Sequence, residues 1–227
     1  MTIEVILTDI EGTVGSIRFV KEVLFPYADR QMEAFLARHW DEPVVAGAVA
    51  DAARDSGETL ADAASAAALL RRWIAEDRKA TPLKTLQGLI WRAGYENGDY
   101  RAHVYPDAVE GLRRWHRDGL ALYVYSSGSI AAQKLFFGHS EAGDLTPLFN
   151  GYFDTTSGGK KEADSYRAIQ AEIGVAADAI LFLSDVEAEL DAARAAGLRT
   201  VLLDRDDAIA SDHTRVTTFD DIEPGAL

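Results

Sequence analysis

The sequence predicts an α/β protein: a parallel β-sheet core with helices on its faces and an all-helical domain inserted just after the first strand. Three observations predict it. Val5, Ile6 and Leu7 form a run of high strand propensity that ends in the acidic stretch D-I-E-G-T, Asp9–Thr13. Tyr27 to about Gly94 then carries helical periodicity with no strand in it. From Val104 onward short apolar strands alternate with helices, the pattern of a Rossmann-like sheet with crossover connections.

The first strand reads as buried, ending with two carboxylates at its carboxyl edge. Residues two apart on a strand point the same way, so Asp9 and Glu11 share a site if the extended geometry persists. Gly12 and Thr13 break the pattern. V-G-S-I-R-F-V follows, with Gly15-Ser16 as a tight turn and a small hairpin or flap expected there. Met32, Phe35, Leu36 and Trp40 lie on one helical face, and Asp41-Glu42-Pro43 closes that helix. A second helix spans Val44 to Arg54. A third, Leu60 to Lys79, sets Leu69, Leu70, Trp73 and Ile74 on one side. Thr81-Pro82 reads as an N-cap with proline at the first helical position, and Gly94 as the stop of the fourth. Such a block is too long for a loop. The expected domains are therefore a core of residues 1–18 and 100–227 and a helical cap of residues 19–99. Trp40, Trp73 and Trp91 are read as helix–helix core, not as a ligand box. The alanine run Ala61 to Ala68 is read as close helix packing.

Beyond the insert, Asp107 to Arg117 is expected as a helix closed by Gly119, and Leu120 to Tyr125 as a strand running into Ser126-Ser127-Gly128-Ser129. Ile130 to Phe137 is helical, Tyr152-Phe153 a short strand, and Glu162 to Ile173 helical. Ile180 to Leu183 is a strand that runs into Ser184-Asp185, Val186 to Ala196 a helix stopped by Gly197, and Thr200 to Leu203 the last strand. The tail from Asp204 is polar and carries no clear pattern.

Composition narrows the functions. The chain has 227 residues, 48% hydrophobic and 26% charged, enough for a sizeable core. A net charge of -14 argues against a nucleic-acid partner, since no basic field attracts a phosphate backbone. There is no cysteine, so disulfides, thiolate metal sites and cysteine nucleophiles are excluded. The N-terminal residues lack a signal-peptide pattern, and no apolar run approaches the ~20 residues needed to cross a bilayer. A cytoplasmic, membrane-free monomer is the expectation.

In a parallel sheet every strand delivers its carboxyl end to one edge, where ligands bind. Asp9 and Glu11, Ser126 and Ser127, Lys160 and Asp185 all follow strands, so all should meet at that rim. These residue types suit phosphoryl transfer. An aspartate can attack phosphorus, and oxygen ligands such as Asp9 and Asp185 would hold magnesium. A serine hydroxyl, a lysine and backbone N–H groups would bind the phosphoryl oxygens. Glu11 could protonate the leaving oxygen and then deprotonate the hydrolytic water.

D-I-E-G-T at Asp9–Thr13, the strand ending in Ser126-Ser127, Lys160, and Ser184-Asp185 resemble, in order, the four motifs of the haloacid dehalogenase superfamily. V-L-F-P-Y-A, Y-S-S-G-S, Q-K-L-F-F-G-H-S, F-D-T-x-x-G-x-K and L-F-L-S-D are similar to its enolase-phosphatase (acireductone synthase) family, over nearly the whole chain. Glu11 stands where most phosphatases of the superfamily carry aspartate, as in the enolase-phosphatases. The resemblance implies Asp9 as nucleophile and magnesium ligand. It implies Glu11 as acid/base, with the metal taking its backbone carbonyl and its side chain also able to act on the metal or a bound water. Ser126, Ser127 and Lys160 would bind substrate, and Asp185 would complete the metal site with one Mg²⁺. The substrate implied is a phosphorylated diketone of methionine salvage, 2,3-diketo-5-methylthiopentyl-1-phosphate, enolised and then dephosphorylated to acireductone. The insert would act as a lid, with Phe19, Leu24 or Phe25 near the methylthio arm.

Glu189, one helical turn beyond Asp185, is read as a solvated helix face in preference to a residue supporting the site, and Lys161 as a solvated neighbour. His39, His103, His116, His139 and His213 fall at no motif position and are read as structural or surface residues. Two other readings compete. A generic sugar-phosphate or phosphoglycolate phosphatase shares the rim and differs in the insert. A phospho-acceptor receiver module also uses acids, a hydroxyl and a lysine, but is shorter and places its acids first.

Overall fold

The computed structural model describes residues 2–206 and 210–226. The chain divides into two compact units, residues 1–17 with 101–227, and residues 18–100. In the first unit, β1 (Val5–Thr8) is buried along its whole length. It pairs in parallel with β2 (Ala121–Tyr125) on one side and with β4 (Ile180–Ser184) on the other, Thr8 lying level with Val124 and Leu183. β3 (Gly151–Phe153) lies outside β2, and β5 (Arg199–Leu203) and β6 (Thr214–Val216) lie outside β4. The order β3-β2-β1-β4-β5-β6 is parallel throughout. This is the Rossmann-like core. The chain builds outward from β1 to β3, then returns to the far side of β1, so the order reverses between β1 and β4. Open sheets form their ligand crevice at that reversal, at the carboxyl ends of the strands.

The central strands β1 and β4 are buried on both faces, as helices covering both sides require. Val5 and Leu7, two apart on one face, share a core with Phe182 of β4, with Tyr166 and Ile169 of α8 (Ala163–Ile173), and with Leu190 of α9 (Glu187–Ala195). α6 (Pro106–Arg117) packs against β2, and α7 (Ile130–Gly138) against β3. β6 is not legible in the polar tail: Thr214 and Arg215 are exposed and Val216 half-buried, and only pairing with β5 makes them a strand.

The second unit is all-helical. α2 (Phe25–His39), α3 (Pro43–Ser56), α4 (Ala63–Ala75) and α5 (Thr81–Asn97) enclose Met32, Leu36, Val45, Leu70, Trp73, Leu86 and Ile90. Trp73 is buried, and Trp40 and Trp91 pack on the same core. Ala66 and Ala67 are fully buried on α4, which packs against α2. Small side chains there let the helix backbones approach.

Four local expectations are corrected. No hairpin follows Gly15. The Thr13, Val14 and Gly15 N–H groups all donate to the Ile10 carbonyl, and helix begins at α1 (Ile17–Phe19). A π-helical turn, Val20–Leu24, joins α1 to α2 just before Pro26, which has no N–H to continue a regular ladder. The third helix starts later than Leu60, where Asp62 forms a capping box with Ser65. Thr81 is the first residue of α5, and Ala80 is its N-cap. Gly94 does not stop α5. The helix continues to Asn97 and ends at Gly98 in the left-handed conformation (φ 76°), while Gly94 makes room for Tyr27 and Tyr100. Among the described residues no helix is long and apolar enough to cross a membrane.

Candidate active site

β1 ends at Thr8, and the next residue, Asp9, is only 3% exposed. Its backbone N–H still donates to Leu183 of β4 (2.9 Å), so the sheet ladder holds the base of the side chain. Lys160 arrives from the loop after β3 and is 8% exposed. Its Nζ donates to Asp9 Oδ1 at 2.5 Å and lies 2.6 Å from Glu189 Oε2. Two hydroxyls shape that loop: Tyr125 donates to the Gly158 carbonyl (3.0 Å) and Tyr166 to the Lys160 carbonyl (2.7 Å). Gly158 is required there. Its φ is 114°, and a β-carbon would collide with the Ser165 hydroxyl. Burial works against the Lys160 charge, but Asp9 and Glu189 outweigh it and push its pKa upward, so the ammonium stays charged.

Glu189 corrects the sequence reading of a solvated face. It is 8% exposed, accepts from Ser184 Oγ at 2.9 Å and pairs with Lys160. Burial raises its carboxyl pKa, with the Lys160 charge opposing. The signal was its spacing of one helical turn from Asp185, and only the position of Lys160 turned that spacing into a contact. Lys161 is exposed, as expected of a solvated neighbour.

Glu11 meets the second strand's loop. Ser126 Oγ donates to Glu11 Oε2 at 3.1 Å and accepts from the Gly128 N–H at 3.2 Å. Burial first, and then the Asp9 charge, raise the Glu11 pKa above the usual carboxylate range. Ser127 stands exposed at the start of that loop, outside this hydrogen-bonded set. The loop is braced by Gln133, whose Nε2 donates to the carbonyls of Gly128 and Phe153 (2.8 Å each). Gln133 was missed as a supporting residue, although it opens the Q-K-L-F-F-G-H-S run.

Asp185 follows β4. Its Oδ1 is buried without a hydrogen-bond partner. Burial, then the negative charge of Asp9, push its pKa up to about 7. Gly12 faces it: φ is 84°, and a β-carbon there would strike the Asp185 carboxylate. A buried, unpartnered carboxylate oxygen beside a second carboxylate lacks a positive partner, and a hard cation with oxygen ligands fits that need. Among the described residues no three His, Cys, Asp or Glu side chains form a ready cluster. Magnesium does not require one, since it is commonly held by one or two carboxylates with waters and phosphate oxygens.

The histidines stay outside this site. His213 lies between Thr200 Oγ1 (2.8 Å) and Asp191 Oδ1 (3.1 Å), and His103 Nδ1 accepts from the Ser16 N–H. His39 contacts Glu42 and is tilted against Phe35, while His116 is exposed.

A family model described as haloacid dehalogenase-like hydrolase matches residues 3–197. Enolase-phosphatase E1 of Alcanivorax borkumensis is 63% identical over 97% of this chain and 98% of its own. Enolase-phosphatase E1 of Pseudomonas aeruginosa is 59% identical over 98% and 99%. The chain belongs to the enolase-phosphatase E1 family of haloacid dehalogenase-like hydrolases. In solved structures, the UTR4 protein of Saccharomyces cerevisiae aligns with this family member at a TM-score of 0.83 and 35% identity, covering 97% of this chain and 100% of that one. Asp9, Glu11, Ser126, Lys160, Asp185 and Glu189 all lie inside the matched residues 3–197 of this haloacid dehalogenase-like hydrolase.

Proposed function

We propose that this chain converts 2,3-diketo-5-methylthiopentyl-1-phosphate to acireductone and phosphate, as a cytoplasmic enzyme of methionine salvage acting through an aspartyl-phosphate on Asp9. The chain is a hydrolase of the enolase-phosphatase E1 family. The observation that carries the mechanism is the pairing of Asp9 with Lys160 at 2.5 Å, two residues before a glutamate whose pKa is raised.

Asp9 attacks phosphorus. The bond to the leaving oxygen breaks, and an acyl phosphate forms on the carboxylate. Lys160 keeps its charge and screens the repulsion between Asp9 and the dianionic phosphate. Ser126 and Ser127, together with the backbone N–H groups of their loop, are proposed to take the phosphoryl oxygens. Glu11, whose carboxyl pKa is raised by burial and then by the Asp9 charge, delivers a proton to the leaving oxygen. The same carboxylate, now ionised, takes a proton from the water that hydrolyses the acyl phosphate. Asp9, Asp185 and the Glu11 backbone carbonyl are the groups that would hold magnesium, with the Glu11 side chain also within the proposed metal environment. When bound, that ion supplies charge neutralisation and polarises oxygens of the phosphate and the neighbouring carbonyl. A monomer is proposed as the working unit.

The deciding experiment supplies the diketo phosphate with Mg²⁺ and follows free phosphate and enediol ultraviolet absorbance together. Both signals are expected. Phosphate without enediol would reassign the chain as a generic phosphatase. Stable labelling of Asp9 by a small phosphodonor, with neither signal, would make it a receiver-like module.

A further inference from the structure

Arg205 lies 192 residues from Thr13 in the chain, yet its Nε and Nη2 both donate to the Thr13 carbonyl, at 3.1 and 2.7 Å. Its Nη1 donates to both oxygens of Asp107, at 3.2 and 3.1 Å, and its guanidinium lies 3.8 Å from the centre of the Tyr105 ring. Asp107 is fixed in turn by the Phe219 N–H (2.8 Å) and the Thr218 hydroxyl (3.0 Å). The Tyr105 N–H donates to the Val14 carbonyl (2.9 Å). So the carbonyls of Thr13 and Val14 are gripped from outside, while the N–H groups of Thr13, Val14 and Gly15 converge on Ile10 within the loop. The same loop carries Glu11 against Ser126 and Gly12 against Asp185.

The geometry points to Arg205 as a positioning residue for the reaction: it sets where the Glu11 carboxyl and the Gly12 backbone stand. This role rests on the function proposed above. A planar fork satisfies one carbonyl with two donors and a carboxylate with a third nitrogen, all while stacked on a ring. A lysine carries the charge without that fork. Arg205 touches neither Asp9 nor the phosphate site through any of these bonds, so its effect passes through the Thr13 peptide.

Arg205 lines an open cavity of about 520 Å³ with Pro106, Asp107, Glu110, Thr218 and Asp220, which gives small solutes access to the vacated place after truncation. The test uses Arg205→Ala and Arg205→Lys in the full chain. For Arg205→Ala, kcat is expected to fall on the order of 10²-fold, the scale of a misplaced catalytic group, with KM little changed. Added methylguanidinium should restore kcat to Arg205→Ala and leave the parent chain unaffected. Arg205→Lys should recover only part of the rate. Amide exchange over residues 10–16 should quicken at least about tenfold in Arg205→Ala, with other segments unchanged. Unchanged exchange there with parental kcat overturns the inference. So does a rate loss that follows a general drop in Tm and resists methylguanidinium. If the parent chain releases no phosphate, the functional reading fails by itself, and exchange over residues 10–16 alone decides the role of Arg205.

Discussion

Glu189 Oε2 lies 2.6 Å from Lys160 Nζ, inside the fold, and that ammonium also serves Asp9. A lysine held by two buried carboxylates is fixed in place before any phosphate arrives. Removing one partner leaves charge in a dry site, which generally costs about 3–5 kcal/mol. Glu189→Gln should therefore lower unfolding free energy by about 1–2 kcal/mol in urea titrations, since Asp9 keeps the Lys160 charge paired and burial already works against the Glu189 charge. It should also lower kcat by loosening Lys160. A loss below about 1 kcal/mol would return Glu189 to the solvated class.

Asp9→Asn should abolish turnover, with kcat down on the order of 10³-fold or more, while far-ultraviolet circular dichroism and the cooperative melt persist. An amide keeps the shape and a hydrogen-bond acceptor for Lys160 but cannot form the acyl phosphate. Substantial phosphate release from this variant would remove Asp9 from the nucleophile's role.

Gly12→Ala faces two penalties. A left-handed φ costs a residue with a β-carbon about 1–2 kcal/mol, and that carbon strikes Asp185. Since Asp185 must move, the Mg²⁺ concentration for half-maximal activity should rise more than the melting temperature falls. Unchanged magnesium dependence would show that Asp185 has no part in holding the ion.

The raised pKa of Asp185, about 7 against an ordinary 3.8, has a definite sign in stability. Between those values the folded chain holds a proton that the unfolded chain has lost. Without metal, this carboxyl's contribution therefore falls as pH rises from about 4 to 7. In EDTA, the parent chain should lose more stability between pH 4.5 and pH 7.5 than Asp185→Asn does. Mg²⁺ should stabilise the parent more at pH 7.5, where the ion replaces the proton. Equal slopes for the two chains in EDTA would refute the shift.

Gly88 and Gly94 sit in the same helix and should respond oppositely to alanine. Around Gly88 nothing lies within 4 Å of a new β-carbon, so Gly88→Ala should stabilise by up to about 1 kcal/mol. At Gly94 the carbon would fall 2.7 Å from Tyr100 and 2.8 Å from Tyr27, so overpacking outweighs propensity and a net loss of about 1–2 kcal/mol is expected. Urea titrations of the two variants compare them directly.

The amino-acid order alone determined the alternation of strands and helices, the all-helical insert, and the strand ends that carry Asp9, Ser126 and Asp185. Each depends on local propensity and on periodicities of two and 3.6 residues, which short windows record. Tertiary structure alone decided what lies between those windows. Glu189 is buried where its carboxylate meets Lys160 from the loop after β3 and Ser184 of β4. Gly94 is interior because Tyr27 and Tyr100 crowd it. β6 is a strand because β5 offers an edge. Arg205 grips a loop 192 residues away because one carbonyl there needs a donor. Charge, close packing and backbone hydrogen bonding act between residues distant in the chain, and no local window contains both partners.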